Sequence, residues 1–335
     1  MLLSRVANSI YWMSRYMERA ENIARFIDVN LQLSLEQSVD PDAPWQALVA
    51  VTGAAEEFEK RYDHANRQNV MRFLTLDREY PSSIARCVAA ARDNARTVRD
   101  VIPYEMWQQI NAMNIMVNQA ADDAIREDQP VGFYRMVKEA SLLFAAITDA
   151  TMSHNAAFEF SKLGRLLERA DQTSRVLDVK YFILLPKPDD VGGAMDVVQW
   201  AAMLRSVGAL EMYRQVHGII TPRCVADFLM LDPQFPRSVT HCLVQTEGCM
   251  ANLVGPGNRH TVEVQRRLGR LRSQLQFGEI DEIIDRGMHQ YIDDLQNQLN
   301  HIDTAINTAF FEFTTPGSAP GSTLSTAPRQ TQSLE

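Results

Sequence analysis

Two blocks hold the side chains best suited to chemistry. Between Arg15 and Val29, Arg15, Glu18, Arg19, Asn22 and Arg25 recur at three- and four-residue spacing. Between Arg165 and Val179, Arg165, Glu168, Arg169, Gln172 and Arg175 repeat that pattern 150 residues later. Seven of the fifteen aligned positions are identical, and five of those seven are charged, so the repetition concerns charge above all. Both blocks read as helices, lacking Pro and Gly and carrying apolar residues at helical spacing. On each, the five named side chains form a strip opposite an apolar face. That face is Met13, Met17, Ala20 and Ile27 in one block, and Leu163, Leu166, Ala170 and Leu177 in the other.

Three kinds of chemistry fit the strip. An ion-pair network could join the two helices across a pseudo-twofold axis. Arg15, Arg19, Arg165 and Arg169 could instead hold an anionic ligand or a partner peptide. Thirdly, Glu18 or Glu168 could act as general acid or base. Local pairs, Arg15 with Glu18 and Glu21 with Arg25, are also within helical reach. The apolar faces keep their class and swap identities, as a repackable core does. The polar faces keep their identities, which geometric constraint explains, since Arg and Lys do not interchange at bidentate contacts.

Around these blocks the chain is helical throughout. A first helix is expected over about Leu3–Glu36, ending before Asp40-Pro41. A second runs from Pro44 to about Arg61. A short helix and turn follow, with Pro81 opening a third helix that continues to Pro103. A fourth is expected over about Glu105–Arg126 and a fifth over about Val131–Met152, after a break at Asp128-Gln129-Pro130. The order then repeats: a helix over about Ala156–Leu185, a linker from Pro186 to Gly193, and helices near 196–218, 222–230, 237–253, 258–276 and 288–313. An offset of 155 aligns Phe73–Ile84 with Phe228–Val239, Cys87 with Cys242, and Gly53 with Gly208. The expected architecture is all-α: an internally duplicated, pseudo-twofold bundle of about ten or more helices. Its repeats would span 1–154 and 155–313, followed by a disordered tail, 314–335, rich in Ser, Thr, Pro and Gly.

Composition narrows the class. With 335 residues, 46% of them apolar, the chain can bury a large core, and its net charge of −9 argues against non-specific binding to nucleic acid or anionic membrane. No apolar run is long enough to span a bilayer, and Met1–Ile10 does not read as a signal peptide. The four cysteines lack zinc-ribbon spacing and read as reduced thiols of a cytoplasmic protein. Nucleotide-binding loops, zincin motifs and the Glu-x-x-His of di-iron bundles are missing, so neither a cofactor nor a metal is expected. Three weaker features remain. Asp285 and His289 stand at helical spacing for a metal pair. Cys224 falls in the first turn of a helix capped by Thr221, where the dipole favours a thiolate. The run from Arg266 to Arg272 could bind phosphate or an acidic peptide, or pair with nearby acids.

The opening Leu3-Ser4-Arg5-Val6-Ala7-Asn8-Ser9-Ile10-Tyr11-Trp12, followed by Arg15-x-x-Glu18-Arg19-Ala20-Glu21-Asn22-x-Ala24-Arg25, resembles the bacterial alpha-E family. Pro81-x-Ser83-Ile84, Glu105-x-Trp107 and Gly164-Arg165-x-Leu167-Glu168-Arg169-Ala170-Asp171 extend the resemblance over roughly residues 1–313. It implies a helical protein encoded beside a circularly permuted ATP-grasp ligase and a transglutaminase-like peptidase. The implied function is an accessory component of that peptide or amide ligase system, holding the ligase or an acidic peptide through the Arg/Glu strip. The alternatives are an enzyme of the same pathway using Glu18 or Glu168, and a purely structural, oligomerising bundle.

Overall fold

The structure, a computed structural model, describes residues 2–36, 42–126, 130–182, 193–254 and 259–312. Among these residues there are fifteen α-helices and no strand. The first half contains α1 (Ser4–Glu36), α2 (Ala43–Val51), α3 (Ala55–Glu59), α4 (Arg67–Thr75), α5 (Ile84–Thr97), α6 (Tyr104–Arg126) and α7 (Val131–Thr151). The second contains α8 (Ala156–Phe182), α9 (Ala194–Ser206), α10 (Leu210–Val216), α11 (Pro222–Leu231), α12 (Val239–Leu253), α13 (Arg259–Gln276), α14 (Ile280–Arg286) and α15 (Met288–Ile306), closed by a π-helical turn, Asn307–Phe311.

α1 and α8 form the axis of the molecule. They pack side by side and run in the same direction, with Ser14 Oγ 2.7 Å from Ser161 Oγ and, further along both helices, Glu18 and Arg19 level with Arg169 and Glu168. A Cβ on Gly164 would come 2.3 Å from the Tyr11 carbonyl oxygen, so only glycine allows this close crossing. Around α1 lie α5 and α7, with α6 against both; around α8 lie α12 and α15, with α13 against both. The connectors cross over: α2 touches α8 as well as α1, and α9 touches α1 as well as α8. One continuous apolar core therefore runs from Ala7 to Ile306, with Trp45 and Trp200 at aligned positions each about 1% exposed.

Several boundaries differ from the sequence reading, each for a local reason. The helix expected from Pro44 to Arg61 breaks into α2 and α3 at Gly53, and the one expected over 196–218 breaks at Gly208. Both glycines take positive φ, +67° and +68°. Pro81 does not open a helix: it lies in a turn, and Ser83 caps α5 by accepting from Arg86 N at 3.2 Å. Ser238 caps α12 the same way through His241 N at 3.0 Å, so serine rather than proline sets both starts. α5 ends at Thr97 rather than Pro103. α14 was not expected, and among the described residues no helix of the first half corresponds to it. Asp285 sits in α14 and His289 in α15, separated by Gly287 at φ +103°, so they do not share one helix as anticipated. The breaks expected at 40–41 and 128–129, the linker over 186–192 and the tail over 314–335 lie outside the described residues.

Candidate functional site

The charged strip is not a solvated face. Glu18, Glu21 and Asn22 are 2–3% exposed and Glu168 is fully buried, because α8 and the loops before α5 and α12 cover the polar side of α1. The two Glu-Arg dipeptides meet reciprocally. Arg19 donates to Glu168 through Nε at 2.6 Å and Nη2 at 2.8 Å. Arg169 donates to Glu18 through Nε at 2.9 Å and Nη2 at 2.8 Å. Each contact is the two-pronged fork that guanidinium and carboxylate planes favour.

Each carboxylate takes a second guanidinium, and here the halves differ. Glu168 receives Arg15 Nε at 3.0 Å, while Arg15 Nη1 reaches Asp303 of α15 at 2.7 Å and its guanidinium lies over the Trp12 ring. Arg165, the match of Arg15, does not reach Glu18; it approaches Asp149 at 3.5 Å. Arg237 takes its place, donating to Glu18 Oε1 and Asn22 Oδ1, each at 3.0 Å, and to Glu21. Position 237 aligns with Ser82, whose hydroxyl accepts from Arg19 Nη1 at 3.3 Å. Asn22 and Gln172 donate back to Glu18 and Glu168 at 3.4 and 3.2 Å.

Beyond the dipeptides, Arg25 pairs with Glu21 and Arg175 with Asp171, each at 2.8 Å along its own helix. Their guanidinium ends also cross to the opposite half. Arg25 Nη1 lies 3.3 Å from where a Cβ on Gly208 would sit, and Arg175 Nη1 lies 2.8 Å from one on Gly53. Asp28 accepts from Lys138 at 2.5 Å, and its match Asp178 contacts His289 Nδ1 at 2.7 Å.

Seven of the ten strip residues, Arg15, Glu18, Arg19, Asn22, Glu168, Arg169 and Gln172, gather at the two buried carboxylates. Arg25 joins them through Glu21 and Arg237, and Arg165 and Arg175 pair elsewhere, with Asp149 and Asp171. Arg15 bonds across to Glu168 rather than along its helix to Glu18. The sequence reading missed Arg237, Asp303 and Tyr11, whose hydroxyl donates to Asp303 Oδ1 at 2.5 Å and accepts from Arg15 Nη1 at 3.3 Å. Arg237 had a visible signal, an arginine where the aligned loop has serine. Asp303 had none, since its contact is made at a separation of 288 residues.

The electrostatics follow from burial and charge together. Burial pushes the Glu168 carboxyl up, but Arg19 and Arg15 outweigh it and hold the pKa at about 2. Burial acts likewise on Glu18, and Arg169 and Arg237 bring it well below the ordinary carboxylate range. An effective general acid or base has a pKa near the working pH and a free proton site. Glu168 accepts four donors and Glu18 four, so neither has that freedom. Burial also raises the thiols of Cys87, Cys242 and Cys249 to about 12, as small apolar fillers. Thr221 caps α11 through Cys224 N at 3.2 Å, placing Cys224 in the first turn as expected.

Among the described residues, one group has metal-ligand spacing: Asp178, His289 and Asp293, whose donor atoms lie within 4.8 Å of one another. Hydrogen bonding to Asp178 raises the His289 pKa. The two carboxylates address different ring nitrogens, Asp178 at Nδ1 and Asp293 at Nε2, 3.6 Å away, so the imidazole bridges them. This geometry suits a hydrogen-bonded imidazole. No described helix is long and apolar enough to cross a membrane.

Relatives show the same extent of sequence without naming a function. An uncharacterized protein of Mycobacterium bovis and one of Mycobacterium tuberculosis are each 21% identical over 297 residues, which is 83% of this chain. The chain spans about a third of their length. No solved structure matches it. Residues 2–311 match a family described as a predicted alpha-helical domain with a conserved ER motif. Glu-Arg occurs in this sequence only at Glu18-Arg19 and Glu168-Arg169, the two dipeptides that bind each other across α1 and α8. By its helical fold and this match over nearly its whole length, the chain belongs to the Alpha-E family.

Proposed function

We propose that the chain is a non-catalytic helical scaffold of a cytoplasmic peptide or amide ligase system. On this reading it docks an ATP-grasp ligase and, with it, a transglutaminase-like peptidase. The observation that carries the reading is the saturation of Glu18 and Glu168. This array of charged groups is spent inside the molecule, with both carboxylates held as anions by their arginines. Such an array braces the two central helices against each other and leaves neither Glu18 nor Glu168 free to act as acid or base. The length of the relatives supports a modular role, since a matching region is joined there to about twice as much other sequence. The strip is then the lock of the scaffold rather than the hand that holds its partner.

Co-expression of the chain with an ATP-grasp ligase encoded beside it tests the proposal. A complex that survives size-exclusion chromatography, with no product formed by the chain without the ligase, is the expected result. Failure to associate, or turnover by the isolated chain that Glu168→Gln abolishes in a folded protein, overturns it. Arg19→Ala/Arg169→Ala is expected to lower stability in the isolated chain as well as in the complex.

A further inference from the structure

The outer face of α13 and α15 carries a long groove. At one end, a space of about 380 Å³ is lined by Arg266, Arg267, Arg270 and His301. At the other, about 450 Å³ is lined by Phe277, Tyr291, Leu295 and Ile283. Gln274 and Gln298 border both, so the spaces are one channel. From Glu263 to Phe277 it runs about 20 Å at the helical rise of about 1.5 Å per residue, the length of four helical turns.

Three features set this groove apart. Its cationic end has three arginines against the single acid Glu263, in a chain of net charge −9. Glu263 pairs with Arg266 at 2.7 Å and Arg267 at 2.6 Å, leaving an excess of positive charge centred on exposed Arg270. Its apolar end presents Phe277 at 77% exposure, the most exposed large apolar side chain among the described residues. The end wall comes from α14, through Ile283, and among the described residues α14 has no counterpart in the first half.

We infer that this groove docks an acidic amphipathic helix of a protein partner. Charge complementarity identifies the occupant and its direction. Carboxylates belong over Arg266 and Arg270; at the other end Glu282 and Asp294 outnumber Arg286, so that end offers acids no net attraction and the occupant there presents aromatic or aliphatic side chains to Phe277 and Tyr291. The inference rests on the docking reading above and gives it a surface, separate from the buried Glu-Arg lock.

The probe is a labelled helical peptide of about four turns, with glutamates in its first half and Phe and Leu in its second. Its partner probe has lysines for the glutamates, and binding is followed by fluorescence anisotropy. The acidic peptide is expected to bind the full chain and weaken as salt rises, while the lysine peptide does not bind. Arg270→Glu and Phe277→Ser, both exposed and tolerable to the fold, are each expected to weaken it about tenfold. Equal binding of both peptides, indifference to both substitutions, or no binding of the acidic peptide at millimolar concentration overturns the inference. A ligase complex that forms normally with both variants rejects the groove and leaves the scaffold reading standing.

Discussion

At the scale of single residues, the reciprocal Glu-Arg pairs behave as one buried unit. Removing one partner leaves charges without compensation in a dry site, which typically costs about 3–5 kcal/mol. Glu168→Gln is expected to lower stability by that amount in urea unfolding, because Arg15 and Arg19 lose their shared acceptor. The same carboxylate predicts an acid response. Its folded pKa of about 2 lies below the ordinary 4.5, so its contribution is complete above about pH 4.5 and falls away as pH drops towards 2. Unfolding midpoints measured from pH 6 to pH 2.5 should therefore decline. Glu168→Gln should flatten that decline, and an unchanged slope would refute the assignment.

At the scale of elements, glycines mark where helices touch or turn. Gly164→Ala forces a Cβ onto the Tyr11 carbonyl where α1 and α8 cross, and an overlap of this kind costs about 1–3 kcal/mol. Gly208→Ala adds a Cβ at φ +68° beside Arg25 and should cost about 1–2 kcal/mol. Gly248, inside α12 with nothing within 4 Å of its would-be Cβ, is the control. Gly248→Ala should raise stability by about 0.5–1 kcal/mol through helix propensity. Equal effects at the three sites, read from thermal or urea unfolding, would contradict the packing described.

At the scale of the whole molecule, neither half is closed on its own. Glu18 takes its arginines from α8 and the loop before α12, Glu168 takes its own from α1, and α2 and α9 each pack on the other half's central helix. Fragments 1–154 and 155–312 are expected to be unstructured separately and to regain helical circular dichroism when co-expressed. The intact chain should unfold in a single transition. A half that folds alone with native-like stability would show that the lock joins domains rather than completing one.

What the sequence determined by itself is considerable. The helical class follows from apolar periodicity, and the element order can be read from the aligned Trp45 and Trp200, Cys87 and Cys242. The Glu-Arg blocks were visible as the centre of the chain because their charged identities persist while the apolar positions beside them vary. Local rules also placed the cap at Thr221 and the Glu21–Arg25 pair. What sequence left open was the fate of the strip, since a face of Arg and Glu has the same pattern whether it meets water, a ligand or its own repeat. Only packing decided that, by laying α8 parallel to α1 over its polar side, so that each Glu-Arg dipeptide lies level with the other and within reach of both forks. It also decided the asymmetry: Arg237 stands in for Arg165, and Asp303 anchors Arg15 from the end of the chain. Neither choice was legible locally, because each depends on distances between side chains more than 200 residues apart, set by helices that must first find their places.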